Sequence, residues 1–289
     1  MAIVELLSSN TPFYLFCVGL LGLAIGSFLN VVIYRLPIIM EREWLSHCAE
    51  ITQKKVTPQQ EKFSLSTPSS RCPHCGHAIT VKENIPVISY IMLRGKCSDC
   101  GTRISVRYPI IESVTAILSV IIAWHFGFNW AALAGLFFTW ALIALTMIDI
   151  DEQLLPDSIT LPFLWLGLGL SLGNIFIGSQ EAIIGAIAGY LSLWSVYWLF
   201  KLLTGKEGMG YGDFKLLAML GAWMGWKMLP AIILLSSAVG AVVGIMLILV
   251  RGRDKTIPIP FGPYLSAAGW IALLWGQDLI NAYLKFSGL

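Results

Sequence analysis

Long runs of apolar residues alternate with short polar connections along almost the whole chain. Each run has about the length that an α-helix needs to cross the hydrocarbon core of a bilayer, roughly 20 residues. Eight such runs are present, at residues 13–33, 110–126, 130–148, 159–177, 182–200, 214–229, 231–250 and 263–284. The pattern therefore predicts an all-α polytopic membrane protein with about eight transmembrane helices.

Composition supports this class and excludes one kind of partner. Hydrophobic residues make up 56% of the 289 positions and charged residues 12%, far from the average of soluble domains. No stripe of basic residues alternates with aromatic residues, so the lipid bilayer is the expected surrounding and nucleic acid is not an expected partner.

Small residues four positions apart predict close helix packing. They are Gly22 and Gly26, Gly185 and Gly189, Gly221 and Gly225, and Gly240 and Gly244.

The lysines and arginines predict the orientation of the chain. The polar segment 35–108 contains eleven of the nineteen, and the connections 201–215 and 251–262 contain three each. With eight spans and the N-terminus on the outer side, these seventeen residues face the cytoplasm, as the positive-inside rule requires. Only Lys227 and Lys285 then fall on the other side.

Four of the six cysteines have the spacing of a metal site. They form two Cys-x-x-Cys-Gly turns, and two such turns aim four thiolates at one point as in a zinc ribbon. The pairs are Cys72 with Cys75 and Cys97 with Cys100. We predict one structural zinc ion, because four thiolates leave no open position for catalysis and a metal stabilises a small domain. Redox-active thiols and a metal-free segment are the alternatives, and His74 and His77 are interpreted as bystanders.

A glycine-rich turn at residues 208–213 delivers one carboxylate to the start of the sixth apolar run. An acid at the edge of a membrane span is costly, so a functional role for Asp213 is favoured over a role as N-cap or first-turn acid alone. The glycines leave the backbone bare. We therefore predict that Gly210 and Gly212 help to bind an extended substrate.

A second acidic cluster ends the third apolar run. Asp149 and Asp151 point to different faces if the helix continues there, so they do not pair with each other. Asp157 is a good N-cap for the fourth run, and Asp151 and Glu152 could be solvated loop charges. The predicted topology places Asp149 and Asp213 on the same face, where two carboxylates could act as the acid and base of an aspartyl protease.

Three parts follow from these features. Residues 1–34 are predicted to form the first transmembrane helix with a periplasmic N-terminus. Residues 35–108 are predicted to form a cytoplasmic zinc-binding domain, between helices 1 and 2. Residues 109–289 are predicted to form a seven-helix membrane peptidase domain.

Several motifs, spread over essentially the whole chain, are similar to those of one known family. They are Gly26–Val32 with Arg35–Pro37, Glu83–Pro86, Leu93–Cys97, Asp149–Asp151 with Leu155–Asp157, Gly205–Asp213 and Pro258–Tyr264. Together they resemble the bacterial type IV prepilin peptidases, also called leader peptidase/N-methyltransferases, within the GxGD aspartyl proteases of membranes. The catalytic pair that the resemblance implies is Asp149 and Asp213.

The resemblance implies two activities at the cytoplasmic face of the bacterial inner membrane. The first is cleavage of the basic leader from prepilins and pseudopilins of type IV pilus and type II secretion systems, a substrate that Asp151 and neighbouring acids would suit. The second is methylation of the new N-terminal residue with S-adenosylmethionine. Gly95 matches a position associated with methyl transfer, and a turn glycine beside Cys97 is an equal alternative. No G-x-G-x-x-G follows a strand, so methyl transfer is implied by the resemblance alone.

Other interpretations stay open at this point. The chain could be a peptidase without methyltransferase activity. It could also be a transporter or ion pathway, for which acids in the middle of a span would be expected, and Glu112 is the nearest example. A metal-binding scaffold would leave Asp149 and Asp213 without a role.

Overall fold

The structure is a computed structural model that describes residues 2–52, 63–206, 208–251 and 259–287. Glu207 of the glycine-rich motif and most of the predicted connection 251–262 lie outside the described residues. The α-helices are α1 Ala2–Ser9, α2 Thr11–Thr52, α3 Ile88–Met92, α4 Arg107–Phe126, α5 Trp130–Glu152, α6 Asp157–Leu172, α7 Ser179–Thr204, α8 Tyr211–Met224, α9 Leu229–Arg251 and α10 Gly262–Ser287. Short 3-10 turns occur at Lys82–Asn84 and Trp226–Met228.

The prediction of an all-α membrane fold is confirmed. Within the described residues the helices are accompanied by two isolated β-bridges and by no named strand. Each of the eight predicted runs lies mainly within one long helix. Among the residues that the structure describes, five segments are long and apolar enough to cross a membrane, fewer than the eight predicted, and α6 is apolar but shorter. The five are Thr11–Thr52, Arg107–Phe126, Trp130–Glu152, Ser179–Thr204 and Trp226–Leu247.

The chain divides into two compact units, Met1–Trp140 and Ala141–Leu289. In the first unit, α2 and α4 pack closely because both contact positions on α2 are glycine. A Cβ on Gly22 would come within 2.7 Å of the Ala116 Cα, and a Cβ on Gly26 within 2.6 Å of the Glu112 Cα. The predicted small-residue packing is therefore confirmed for this pair. Helix α2 also continues well past the end of its apolar run, through Pro37, to Thr52.

The segment 63–106 carries the four paired cysteines and is tied to both long helices of the first unit. From α2, the buried Arg35 donates hydrogen bonds to the carbonyl oxygens of Ser64 at 2.9 Å and Pro68 at 2.7 Å. From α4, the buried Glu112 carboxylate accepts the backbone N–H of Val87 at 2.8 Å. These bonds fix the segment against the middle of α2 and the first turns of α4.

In the second unit α8 is the central helix. It is buried along most of its 14 residues, and it packs against α7 where Gly185 and Gly221 face each other. A Cβ on either glycine would collide with the backbone carbonyl oxygen of the other. On another side, the indole N–H of Trp223 donates to the Phe163 carbonyl of α6 at 2.8 Å. Helix α8 is apolar on almost every side, and such a helix is suited to an enclosed position.

Candidate functional site

Asp213 lies in the first turn of α8 at the end of the glycine-rich turn. Gly210 is the residue before the helix, with an extended backbone at φ −81° and ψ 150°, and α8 begins at Tyr211. Asp213 is therefore the third helical residue and not the N-cap. Its side chain is only 7% exposed, and its backbone N–H donates to the Gly210 carbonyl at 3.3 Å. The turn thus brings an acid into the interior of the second unit.

Asp149 lies in the last turn of α5 and is only 5% exposed. Its Oδ2 accepts the backbone N–H of Gly262, the first residue of α10, at 3.0 Å. A Cβ on Gly262 would come within 2.6 Å of that oxygen, so this contact requires glycine. Because Asp149 and Gly262 are 113 residues apart, the bond is a product of the tertiary fold.

The structure brings the two predicted acids together. The carboxyl groups of Asp149 and Asp213 lie close enough for their charges to interact. Leu155 follows α5 and is buried. It packs against Gly212, next to Asp213, and against Gly262, which binds Asp149. A Cβ on Gly212 would be 2.8 Å from the Leu155 Cβ, and a Cβ on Gly262 would be 3.1 Å from its Cδ2. Two buried carboxyl groups, an amide donor and an apolar wall therefore converge at the ends of α5, α8 and α10.

Sequence reasoning found the two acids and gave no role to Gly262 or Leu155. Both lie in motifs that resemble the family, Leu155–Asp157 and Pro258–Tyr264, of which Pro258 is outside the described residues. A glycine between prolines and aromatic residues indicates a special backbone position. Its partner Asp149 could not be identified from that pattern.

The other acids of the cluster are more exposed, and one has a partner that was not foreseen. Asp151 and Glu152 are exposed at the end of α5. The prediction that Asp157 is the N-cap of α6 is wrong: Pro156 occupies that position without a side-chain cap. The Asp157 carboxylate instead pairs with Nζ of Lys215, at 2.6 and 2.8 Å, so its oxygens face α8.

The glycines of the turn have different surroundings. Gly210 is exposed and extended, whereas Gly212 is already helical and packs on Leu155. A Cβ on Gly208 would come within 2.9 Å of the Phe200 ring. In the described part of the turn, Gly210 is extended and Met209 lies in a bend, so the extended stretch is shorter than the sequence predicts.

The four paired cysteines form one cluster in the first unit. Their sulfur atoms all lie within 4.8 Å of one another, with 3.9 Å between Cys72 and Cys100 and 4.0 Å between Cys75 and Cys97. Sulfur atoms around a tetrahedral zinc ion are about 3.8 Å apart, because each Zn–S bond is about 2.3 Å. The donor set and its spacing therefore fit such an ion.

Two equivalent turns build the cluster. In the first, the Gly76 N–H donates to the Cys72 carbonyl at 2.9 Å, and in the second the Gly101 N–H donates to the Cys97 carbonyl at 3.0 Å. Both glycines have positive φ, at 74° and 69°, which side chains disfavour. The hydroxyl and then the backbone amide of Thr102 lower the pKa of Cys100 to about 6, whereas desolvation and the neighbouring cysteine side chains raise the pKa of Cys75 to about 12.

Glu83 connects the two cysteine turns. Its carboxylate accepts the hydroxyl of Ser98 from the second turn, and the backbone N–H and hydroxyl of Thr80 at 2.8 and 2.7 Å. The Ser98 hydroxyl, followed by Thr80, lowers the pKa of Glu83 to about 2. His77 lies 3.3 Å from the same carboxylate, so the predicted bystander takes part in this polar cluster.

Gly95 is a tightly constrained turn residue. Its φ is +67°, and a Cβ would come within 2.8 Å of the Tyr90 hydroxyl oxygen. Its N–H donates to the Tyr90 carbonyl, and its carbonyl accepts the Ile104 N–H, both at 2.8 Å. Tyr90 therefore fills the space beside Gly95 and both backbone polar groups are occupied. Within the described part of the chain, these surroundings offer no open cradle for a cofactor such as S-adenosylmethionine at Gly95 itself.

The fold and the two sites define a multi-pass membrane protein with a buried pair of acids and a four-cysteine cluster. Family models match in two places, the bacterial peptidase A24 N-terminal domain at residues 20–126 and the type IV leader peptidase family at residues 136–245. The chain belongs to the type IV leader peptidase family, as its motifs indicated. No solved structure matches the chain.

Three relatives show how completely the chain matches. A protein of Stutzerimonas stutzeri is 56% identical over 286 residues, covering 99% of both chains. One of Pseudomonas aeruginosa is 54% identical over 288 residues, covering 100% of this chain and 99% of the relative. One of Aeromonas hydrophila is 54% identical over 286 residues, covering 98% and 99%. Each of the three is named prepilin leader peptidase/N-methyltransferase.

Proposed function

We propose that this chain is a membrane aspartyl endopeptidase that cleaves the basic leader from type IV prepilins and pseudopilins, with Asp149 and Asp213 as the catalytic pair. The observation that carries the proposal is the meeting of these two buried carboxyl groups at the ends of α5 and α8. A transporter or ion pathway is disfavoured, because the acids meet at helix ends instead of lining the middle of a span.

The mechanism needs one carboxylate and one carboxylic acid. The carboxylate takes a proton from a water molecule, whose oxygen attacks the scissile carbonyl carbon, while the acid donates a hydrogen bond to the carbonyl oxygen. The C–N bond then breaks as the amine leaves with a proton from the pair. The Gly262 N–H fixes Asp149 by its Oδ2, which leaves Oδ1 for the water or the substrate. Leu155 shields the site from bulk water.

The exposed residues near the pair are proposed to bind the substrate. Gly210 offers an extended, exposed backbone beside Asp213, and Gly212 admits Leu155 to the wall of the site. Asp151 adds a negative charge at the exposed end of α5, which suits a basic leader. The substrate is thereby expected to lie with its leader toward the acids of α5.

Methylation of the new N-terminal residue with S-adenosylmethionine is the second proposed activity. It is supported by the names of the full-length relatives. In this proposal Gly95 acts by shaping the turn between Tyr90 and Cys97, because Tyr90 occupies its surroundings. Bound S-adenosylmethionine would supply the methyl group, and no step is assigned to Gly95.

The cysteine cluster is proposed to hold one structural zinc ion, with Cys72, Cys75, Cys97 and Cys100 as its four ligands. Four thiolates close the coordination sphere, so the ion would stabilise the segment 63–106 and would not take part in cleavage. The proposed location is the bacterial inner membrane, with the N-terminus in the periplasm and both sites facing the cytoplasm.

The proposal is tested with purified, reconstituted protein and a prepilin substrate. Asp149→Ala and Asp213→Ala should each abolish cleavage, and Asp278→Ala, which removes an exposed acid on α10, should leave it unchanged. Retained cleavage in either of the first two variants would contradict the aspartyl mechanism. The same variants given a pre-cleaved substrate should still methylate it, and loss of methylation there would show that both reactions need the acid pair.

A further inference from the structure

We propose that α3, in the cysteine-bearing segment, is an interfacial anchor that inserts its apolar face into the cytoplasmic leaflet of the bilayer. Its partner is the membrane lipid itself, with anionic headgroups held at the edge of the face. This surface is separate from the acid pair and from the four cysteines, and it gives the segment a membrane contact of its own.

The apolar face is defined by three side chains of α3. Ile88, Ile91 and Met92 are 52%, 67% and 76% exposed. They occupy positions i, i+3 and i+4, which lie on one side of a helix. Three neighbouring aliphatic side chains left open on one side of a small helical turn form an interaction surface, because the hydrophobic effect disfavours their exposure to water.

A hydrogen bond sets the depth of α3 relative to the membrane. The residue just before the helix, Val87, donates its backbone N–H to the Glu112 carboxylate at 2.8 Å. Glu112 lies five residues into α4, a candidate membrane span that begins at Arg107. Five residues correspond to roughly 7.5 Å of helix. Because helical side chains lean toward the N-terminus, the carboxylate and Val87 lie close to the boundary of the hydrocarbon.

The apolar face is followed in the sequence by positive charge. Arg94 and Lys96 come directly after α3 and are exposed. The first turns of α4 also expose apolar side chains, Ile110 and Val114. An apolar face flanked by basic residues at membrane depth is the arrangement by which short amphipathic segments lie in the interface of an anionic leaflet.

The contact is tested by photo-crosslinking in the full-length protein. A benzophenone amino acid replaces Met92 in one variant and Ile51 in another, and each is reconstituted into phosphatidylethanolamine–phosphatidylglycerol vesicles without prepilin. Ile51 is the matched control: it is 83% exposed, but it lies 18 residues, roughly 27 Å of helix, beyond the apolar run that ends at residue 33. After illumination, mass spectrometry should find lipid adducts several-fold more often at Met92.

Other results would overturn the proposal. These are equal lipid labelling at the two positions, adducts at Met92 only to a second copy of the chain, or adducts only after a prepilin is added. A second measurement uses Ile91→Asp with Ile51→Asp as its control. Ile91→Asp should increase proteolysis of the segment 63–106 in vesicles and leave it unchanged in detergent, whereas Ile51→Asp should change neither. Unchanged proteolysis of Ile91→Asp in vesicles would contradict the anchor.

Discussion

The acid pair and the cysteine cluster are built in opposite ways. Asp149 and Asp213 are buried, 64 residues apart in sequence, and their surroundings come from the ends of several long helices. The four cysteines lie within a span of 29 residues on turns at the surface, and two of them are exposed. The first site depends on helix packing and the second on local turns that a metal can join. Changes that loosen helix packing should therefore affect one site and spare the other.

The largest expected effect is the loss of helix packing around α8. Gly221→Ala would place a methyl group against the Gly185 carbonyl, where neither backbone can move freely. The expected cost is about 2–3 kcal/mol of unfolding free energy, together with loss of cleavage, while the metal content stays at one ion. Thermal unfolding measures the loss of stability, a cleavage assay measures the activity, and metal analysis measures the metal content. Gly169→Ala is the matched control, because nothing lies within 4 Å of a Cβ there. Equal stability of the two variants would contradict the packing described.

Removal of the metal should have the next largest effect, on the other site. Cys100→Ser, or a strong chelator, should release the ion and increase hydrogen exchange throughout residues 63–106, because none of the hydrophobic side chains described in this segment is buried. Exchange in α7 and α8 should not change. Cys48→Ser is the matched control, since Cys48 is exposed and outside the cluster. Full metal content in Cys100→Ser would contradict the four-cysteine site.

A smaller change should act within the acid site alone. Gly262→Ala would place a Cβ within 2.6 Å of the Asp149 Oδ2 and would displace the amide that fixes this carboxylate. We expect cleavage to slow by about 10- to 100-fold, because misplacing a catalytic group by about 1 Å can lower a rate by up to about 100-fold. Thermal stability should fall by less than in Gly221→Ala. A wild-type cleavage rate would show that the Gly262 contact does not position Asp149.

The smallest expected effect concerns the ion pair of Asp157 and Lys215. Both side chains are partly exposed, at 50% and 30%, so the solvent screens their attraction. A double-mutant cycle with Asp157→Asn and Lys215→Met should give a coupling of about 0.2–1 kcal/mol in unfolding free energy. A coupling well above this range would mean that solvent screens the pair less than the exposed fractions of the two side chains indicate.

The contrast between the two sites also explains what could be predicted from the sequence. Cys72, Cys75, Cys97 and Cys100 were predicted as one cluster because turn spacing is a local property. The apolar runs predicted the long helices for a similar reason, since burial in lipid requires continuous apolar sequence. Asp149 and Asp213 were paired through the predicted topology and the family motifs.

The contacts that complete each site could not be predicted. Gly262 meets Asp149 across 113 residues, and Lys215 takes Asp157 away from its expected capping role across 58 residues. Such contacts depend on which helix ends become neighbours in the fold. The spacing of apolar residues along the sequence predicts helices, but it does not predict which of their ends meet. Glu83 is a similar case, because its role between the cysteine turns follows from the position of Ser98.

The most direct test of the central claim is whether the two acids act as one unit. Single-turnover cleavage of a prepilin is measured for Asp149→Asn, Asp213→Asn and the double variant, with folding checked by thermal unfolding. If the carboxyl groups share one mechanism, each single variant falls to the background rate and the double variant is no slower. A substantial residual rate in either single variant, or a further additive loss in the double variant, would contradict the account.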